Sequence, residues 1–159
     1  MRQKVDPRLL RHPLGLLGFG FGSGLVPFAP GTAGTLAAIP IYLGLRGLHL
    51  GGYLAVVGIL FAAGIPACAH AARRLGVHDH PAIVWDEIVG FLVTMIAAPP
   101  GWTAIIAGFV LFRLFDIVKP WPIRWCDRRV GGGLGIMLDD LLAGAFAAGV
   151  LHISVRWIP

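Results

Sequence analysis

The sequence predicts an all-α membrane protein: a polytopic bundle of four to five short spans preceded by an interfacial or re-entrant segment. Three observations carry this expectation. Hydrophobic residues make up 57% of the chain and charged residues only 13%, against about 25% charged in a soluble domain. Mean hydropathy is +0.79. No charged residue occurs across positions 13–45, 47–72 or 88–112, and each stretch is long enough to hold the roughly 20 residues that cross a bilayer as a helix. A length of 159 residues suits one domain, residues 1–159.

The N-terminal residues 1–12 are basic and polar, and no convincing signal-cleavage pattern follows, so this segment is expected to be retained. Residues 14–30 are glycine-rich and broken by Pro27 and Pro30, which reads as interfacial or re-entrant chain. The first pass is predicted over 33–48 and the second over 51–75. The third begins near Pro81 and stops at Pro99-Pro100-Gly101, a turn signal that a helix does not easily cross. The fourth runs over 102–119 and is closed by Pro120 and Pro122; the fifth runs over 138–156.

Charge then orients the bundle. With a cytoplasmic N-terminus, Arg73, Arg74, Lys119, Arg124, Arg128 and Arg129 share the cytoplasmic side with the basic N-terminal segment. Only Arg46 and Arg156 fall opposite, an asymmetry that supports this orientation. The net charge of +5 is distributed in these short clusters, with no aromatic-interleaved groove, so no nucleic-acid partner is expected. Trp85, Trp102, Trp121, Trp125 and Trp157 fall at pass ends and read as an interfacial belt. Cys68 and Cys126 have neither CxxC nor metal-type spacing, so no disulfide framework is expected.

In this topology Asp79, Asp86, Glu87, Asp116, Asp127, Asp139 and Asp140 all fall near the cytoplasmic ends of passes two to five. Asp86-Glu87 and Asp139-Asp140 each open an apolar helix, where the plain reading is N-terminal capping. Two such pairs are harder to explain as caps. An unpaired carboxylate near hydrocarbon costs about 2.5–3.5 kcal/mol, and a divalent metal is an economical compensation. Carboxylate-rich, cysteine-free sites favour Mg²⁺ or Mn²⁺.

The fourth pass supplies the complement. Arg113, Asp116 and Lys119 fall at i, i+3 and i+6, forming one polar stripe on an apolar helix. An internal Arg113–Asp116 salt bridge is the plain reading and is compatible with a phosphate-and-metal site. Arg124 follows in the next loop as a lesser phosphate-binding candidate. The loop 22–35, with Thr32 and Gly34, offers backbone amides at a helix start that can bind an anion, although it lacks a Walker ending. Tight helix packing would explain its glycines equally well. His78-Asp79-His80 could be a metal or acid–base cluster; a solvated loop with His80 capping ahead of Pro81 is the plainer reading.

Taken together, these residues resemble the phosphatidylglycerophosphatase A family. The resemblance runs through Gly20-Phe21-Gly22-Ser23-Gly24, Pro30-Gly31-Thr32-Ala33-Gly34-Thr35-Leu36 and Gly76-Val77-His78-Asp79-His80. It continues through Ile83-Val84-Trp85-Asp86-Glu87, Phe112-Arg113 with Asp116, and Lys119-Pro120-Trp121-Pro122-Ile123-Arg124. It closes with Asp127-Arg128 and Gly132-Gly133-Leu134-Gly135-Ile136-Met137-Leu138-Asp139-Asp140, spanning residues 17–149. It implies Mg²⁺-dependent hydrolysis of the lipid phosphatidylglycerophosphate to phosphatidylglycerol and inorganic phosphate.

On that expectation Asp86, Glu87, Asp116, Asp139 and Asp140 ligate metal, Arg113 and Lys119 steady the phosphate, and Asp79 is a candidate base. A cysteine-phosphatase loop is not read, because Cys68 and the following Arg73 and Arg74 sit in an apolar run. Two other classes compete. A small ion or proton transporter would put charges near mid-depth and often show inverted repeats, and no repeat is found. In a non-catalytic membrane subunit the acidic pairs would only cap helices.

Overall fold

In a computed structural model, residues 5–77 and 80–155 are described. They form helices joined by turns, with no strand among the described residues. The helices are α1 (Pro13–Gly18), α2 (Pro30–Leu45), α3 (Leu50–Leu75), α4 (Trp85–Thr94), α5 (Trp102–Val118), α6 (Ile123–Arg129) and α7 (Gly132–Val155). Single 3-10 turns at Pro7–Arg11 and Gly20–Leu25 flank α1. α1 and the second of these turns fall largely within residues 14–30, the stretch expected to be interfacial or re-entrant.

Two of the described helices are long and apolar enough to cross a bilayer, α3 and residues 132–154 of α7. Only 28% of the most apolar stretch of α3 is buried inside the molecule, so its remaining apolar surface calls for a hydrocarbon solvent. His49 caps α3, its Nδ1 accepting from the Gly52 N–H at 3.0 Å, and Gly76 ends it at φ +70°, a conformation glycine adopts freely.

Three elements differ from the expectation. The third pass shrinks to the ten residues of α4, about 15 Å of helix, which is too short to cross. Nine of those ten residues are buried, so α4 is a core helix enclosed by α2, α3, α5 and α7. A helix apolar all round reads the same in a sequence whether protein or lipid surrounds it. Trp85 accordingly leaves the predicted belt: it is buried, and its Nε1–H donates to the Leu60 carbonyl at 3.0 Å. Trp102, Trp121 and Trp125 are exposed as the belt requires, and Trp157 lies outside the described residues.

The second difference is at α7, which starts at Gly132 and not near Leu138. The glycine run is helical because it is pressed against α3: a Cβ on Gly133 would strike the Ile65 carbonyl and lie 2.8 Å from the Ala69 nitrogen. Asp139 and Asp140 therefore sit seven and eight residues beyond Gly132, and neither opens the helix as expected. Capping does not explain them. The third difference is α6, a short helix in what was expected to be a loop.

Candidate active site

The acidic residues are brought together by one close helix crossing. A Cβ on Gly144 of α7 would run into the Gly90 carbonyl of α4, and a Cβ on Gly90 would lie 2.8 Å from the Asp140 carbonyl. Glycine at both positions lets the two backbones touch. Asp86 and Asp140 each lie one turn before these glycines, so their side chains emerge side by side.

Ligand oxygens of Asp86, Glu87 and Asp140 all lie within 4.8 Å of one another. Around them is a cleft of about 320 Å³, whose wall also includes Gly31, Arg113, Asp116, Lys119 and Asp139. Arg113 spans the carboxylates, with Nη1 2.6 Å from Asp116 Oδ2 and 3.9 Å from Glu87 Oε1. Lys119 pairs with Asp139 and, at 3.0 Å, with Asp127. Burial by itself would lower the Lys119 pKa; the adjoining Asp139 and Asp127 carboxylates outweigh it and hold the ammonium above the ordinary lysine range. Lys119 occupies left-handed backbone at φ 43°, and Ala29, also on the cleft wall, does so at φ 47°. Such conformations in non-glycine residues are costly and cluster at functional sites.

The donor set fits a hard divalent cation. Glu87 Oε2 and Asp140 Oδ2 are buried without a hydrogen-bond partner, a state that costs free energy unless something positive meets them. The cleft wall carries five carboxylates against two cationic side chains, Arg113 and Lys119. All five acidic side chains offer oxygen, the preference of Mg²⁺, Mn²⁺ and Ca²⁺.

Of the residues singled out from the sequence, Asp86, Glu87, Asp116, Asp139, Asp140, Arg113 and Lys119 all line this cleft. Thr32, Gly34 and Arg124 are not on its wall. A Cβ on Gly34 would sit 2.7 Å from Val84 Cβ, so Gly34 serves the packing of α2 on α4. Arg124 donates to the Val118 carbonyl at 3.1 Å and faces a neighbouring groove. Asp79 and His78 lie outside the described residues. His80 Nδ1 accepts from the Ala82 N–H at 3.1 Å, the capping role expected for it.

Two residues received no role from the sequence. Gly31 touches the cleft, where a Cβ would collide with Glu87 Oε1 and lie 3.1 Å from the Arg113 guanidinium; its position in the first turn of α2 was the available signal. Asp127 anchors Lys119, and a single acid within the basic stretch 124–129 was the hint. Cys68 and Cys126 are free and buried. Burial, then the neighbouring Asp139 and Asp127 charges, push the Cys126 thiol up.

Fold and site thus define an all-helical membrane protein with an acidic, cation-competent cleft at one end of its bundle. Comparison with known proteins sharpens this. The description Phosphatidylglycerophosphatase A matches residues 16–155, and the chain belongs to that family. It is 49% identical to Phosphatidylglycerophosphatase A of Escherichia coli K12 over 93% of this chain and 87% of that protein. It is 43% identical to the protein of the same name from Haemophilus influenzae over 94% of this chain and 93% of that one. A Bacteroides thetaiotaomicron protein, provisionally named a phosphatidylinositol-3-phosphatase, is 40% identical over 90% of this chain and 93% of its own length. No solved structure matches.

Proposed function

We propose that the cleft hydrolyses the terminal phosphomonoester of phosphatidylglycerophosphate, giving phosphatidylglycerol and inorganic phosphate, with Mg²⁺ as the resident metal. The observation that carries this reading is the close carboxylate group Asp86, Glu87 and Asp140 facing Arg113 and Lys119 across one cleft. The names of the Escherichia coli and Haemophilus influenzae relatives support the substrate.

On this reading Asp86, Glu87 and Asp140 hold the cation, with Asp116 and Asp139 beside them. Bound there, Mg²⁺ supplies Lewis-acid polarisation of the phosphoryl group and a water of lowered pKa. The residues themselves bind and orient. Arg113, already paired with Asp116 and close to Glu87, turns its guanidinium toward equatorial phosphoryl oxygens and offsets charge that grows as the phosphorus–oxygen bond breaks. Lys119 does the same from the other lip, fixed by Asp127 and Asp139. The N-termini of α2 and α4 both open on the cleft, and their positive dipole ends favour an anion. Water adds to phosphorus, the glycerol oxygen leaves and takes a proton, and Asp79 is the candidate base for the attacking water.

The cleft adjoins Arg124, Arg128 and Arg129 through the Lys119 wall, and Arg73 and Arg74 close α3 just before the chain turns into α4. The positive-inside rule therefore supports a cytoplasm-facing site in a bacterial inner membrane. The test is phosphate release from phosphatidylglycerophosphate by the purified protein in detergent, with Mg²⁺ and with EDTA. Mg²⁺-dependent release that EDTA abolishes is expected; no release with any divalent metal would overturn the reading.

A further inference from the structure

Beside the acidic cleft lies a second groove of about 490 Å³, lined by Val118, Pro120, Trp121, Arg124, Trp125, Arg128 and Arg129, with Lys119 as the wall common to both. Its chemistry is the inverse of its neighbour's. It has three guanidinium groups and no carboxylate, and none of the three has a salt-bridge partner among the described residues. Arg124 gives one N–H to the Val118 carbonyl, which leaves the rest of its donor fork available. Arg129 lies 5.8 Å over the Trp125 ring, a cation–π contact that steadies it. Trp121 is 81% exposed and lines the groove together with exposed Val118, an apolar lip suited to the membrane interface.

We propose that this groove is the subsite for the internal phosphodiester of the lipid substrate, and that it selects lipids carrying a diester beside the monoester that is cleaved. The proposal rests on the phosphatase reading above. Phosphatidylglycerophosphate holds its two phosphates on one glycerol, and the acidic cleft, where the monoester would meet the cation, adjoins the arginine groove through the shared Lys119 wall. Arg124 and Arg128 are one helical turn apart on α6, so both reach the same side. Guanidinium forks suit a phosphate's paired oxygens, while the Trp121 lip receives the start of the acyl region. Simple topology charges, the bland alternative, need no common groove and no link to the cleft.

The experiment compares kcat/KM for phosphatidylglycerophosphate with kcat/KM for glycerol 3-phosphate, a monoester without a diester. Arg124→Ala is expected to lower the ratio of the two about tenfold, mostly through KM for the lipid, and Arg124→Lys to recover part of it. Arg128→Ala gives a second reading should Arg124→Ala fail to fold. An unchanged ratio, or parallel loss on both substrates, overturns the subsite. A binding arm separates this from the phosphatase reading: retention of radiolabelled phosphatidylglycerol, which keeps the diester alone, is measured in zwitterionic micelles. Saturable binding weakened at least fivefold by Arg128→Ala supports the subsite even if no phosphate is released from either substrate. Absence of saturable binding overturns it.

Discussion

Gly90 of α4 and Gly144 of α7 meet backbone to backbone, with no room for a methyl group on either. That contact sets the separation of Asp86 from Asp140, because each carboxylate lies one turn before its glycine. Phe112 closes the other flank of the crossing, its ring 2.6 Å from where a Gly90 Cβ would stand. A packing detail thus decides whether a cation is gripped.

Gly90→Ala is therefore expected to cost about 1–3 kcal/mol of stability from overpacking and to spread the carboxylates apart. The checks are thermal unfolding in detergent and the Mg²⁺ concentration that gives half-maximal phosphate release. The latter should rise even where the variant remains folded. Unaltered metal dependence in a destabilised protein would separate the crossing from the site.

Lys119 carries the next prediction. Lys119→Ala leaves Asp139 buried beside other carboxylates and removes the partner of Asp127. Breaking a buried pair from one side costs about 3–5 kcal/mol. Adding Asp139→Asn to Lys119→Ala should recover part of the loss, as measured by unfolding midpoints around the full double-mutant cycle. Additive losses would show that the two do not act as a pair.

The convergence of Asp86, Glu87, Asp116, Asp139 and Asp140 was legible in the sequence, because charge in so apolar a chain is expensive and must be grouped. The identities of Arg113 and Lys119 as companions followed from their helical spacing. The depth of Asp139 and Asp140 inside α7 was not legible: the glycine-rich stretch 131–135 signals a loop until the nearby wall of α3 is known. Nor was the burial of α4, since an apolar run does not say what surrounds it. Gly34 and Thr32 looked like an anion loop for a similar reason. Small residues serve close packing and anion contact alike, and Val84 opposite Gly34 is a tertiary fact.

Thiol chemistry should be dispensable. Cys68 and Cys126 are both buried, and the Cys126 thiol is pushed above its ordinary value of 9.0. A raised pKa means less thiolate at neutral pH, so alkylation of Cys126 should be slow near pH 7 and quicken only as pH climbs past that ordinary value. Cys68→Ala and Cys126→Ala are expected to keep phosphate release within about twofold. Loss of turnover in Cys68→Ala with folding intact would point to a covalent route instead of metal-activated water.

Metal and stability should be linked through Asp140. In the metal-free protein its carboxylate adds to a crowd of like charges, so Asp140→Asn is expected to raise the unfolding midpoint without metal. With Mg²⁺ the order reverses. A ligand that binds only the folded state contributes about 2.7 kcal/mol at a hundred times its dissociation constant, and the unaltered protein should gain that while Asp140→Asn gains little. Phosphate release by the variant should fall at least about 100-fold, beyond what loss of an outer-shell partner costs. The crossing of the two melting series with added Mg²⁺ is the decisive measurement. A helix-packing role for Asp140 predicts that the variant melts lower with and without the ion, whereas a ligand role requires the change of order.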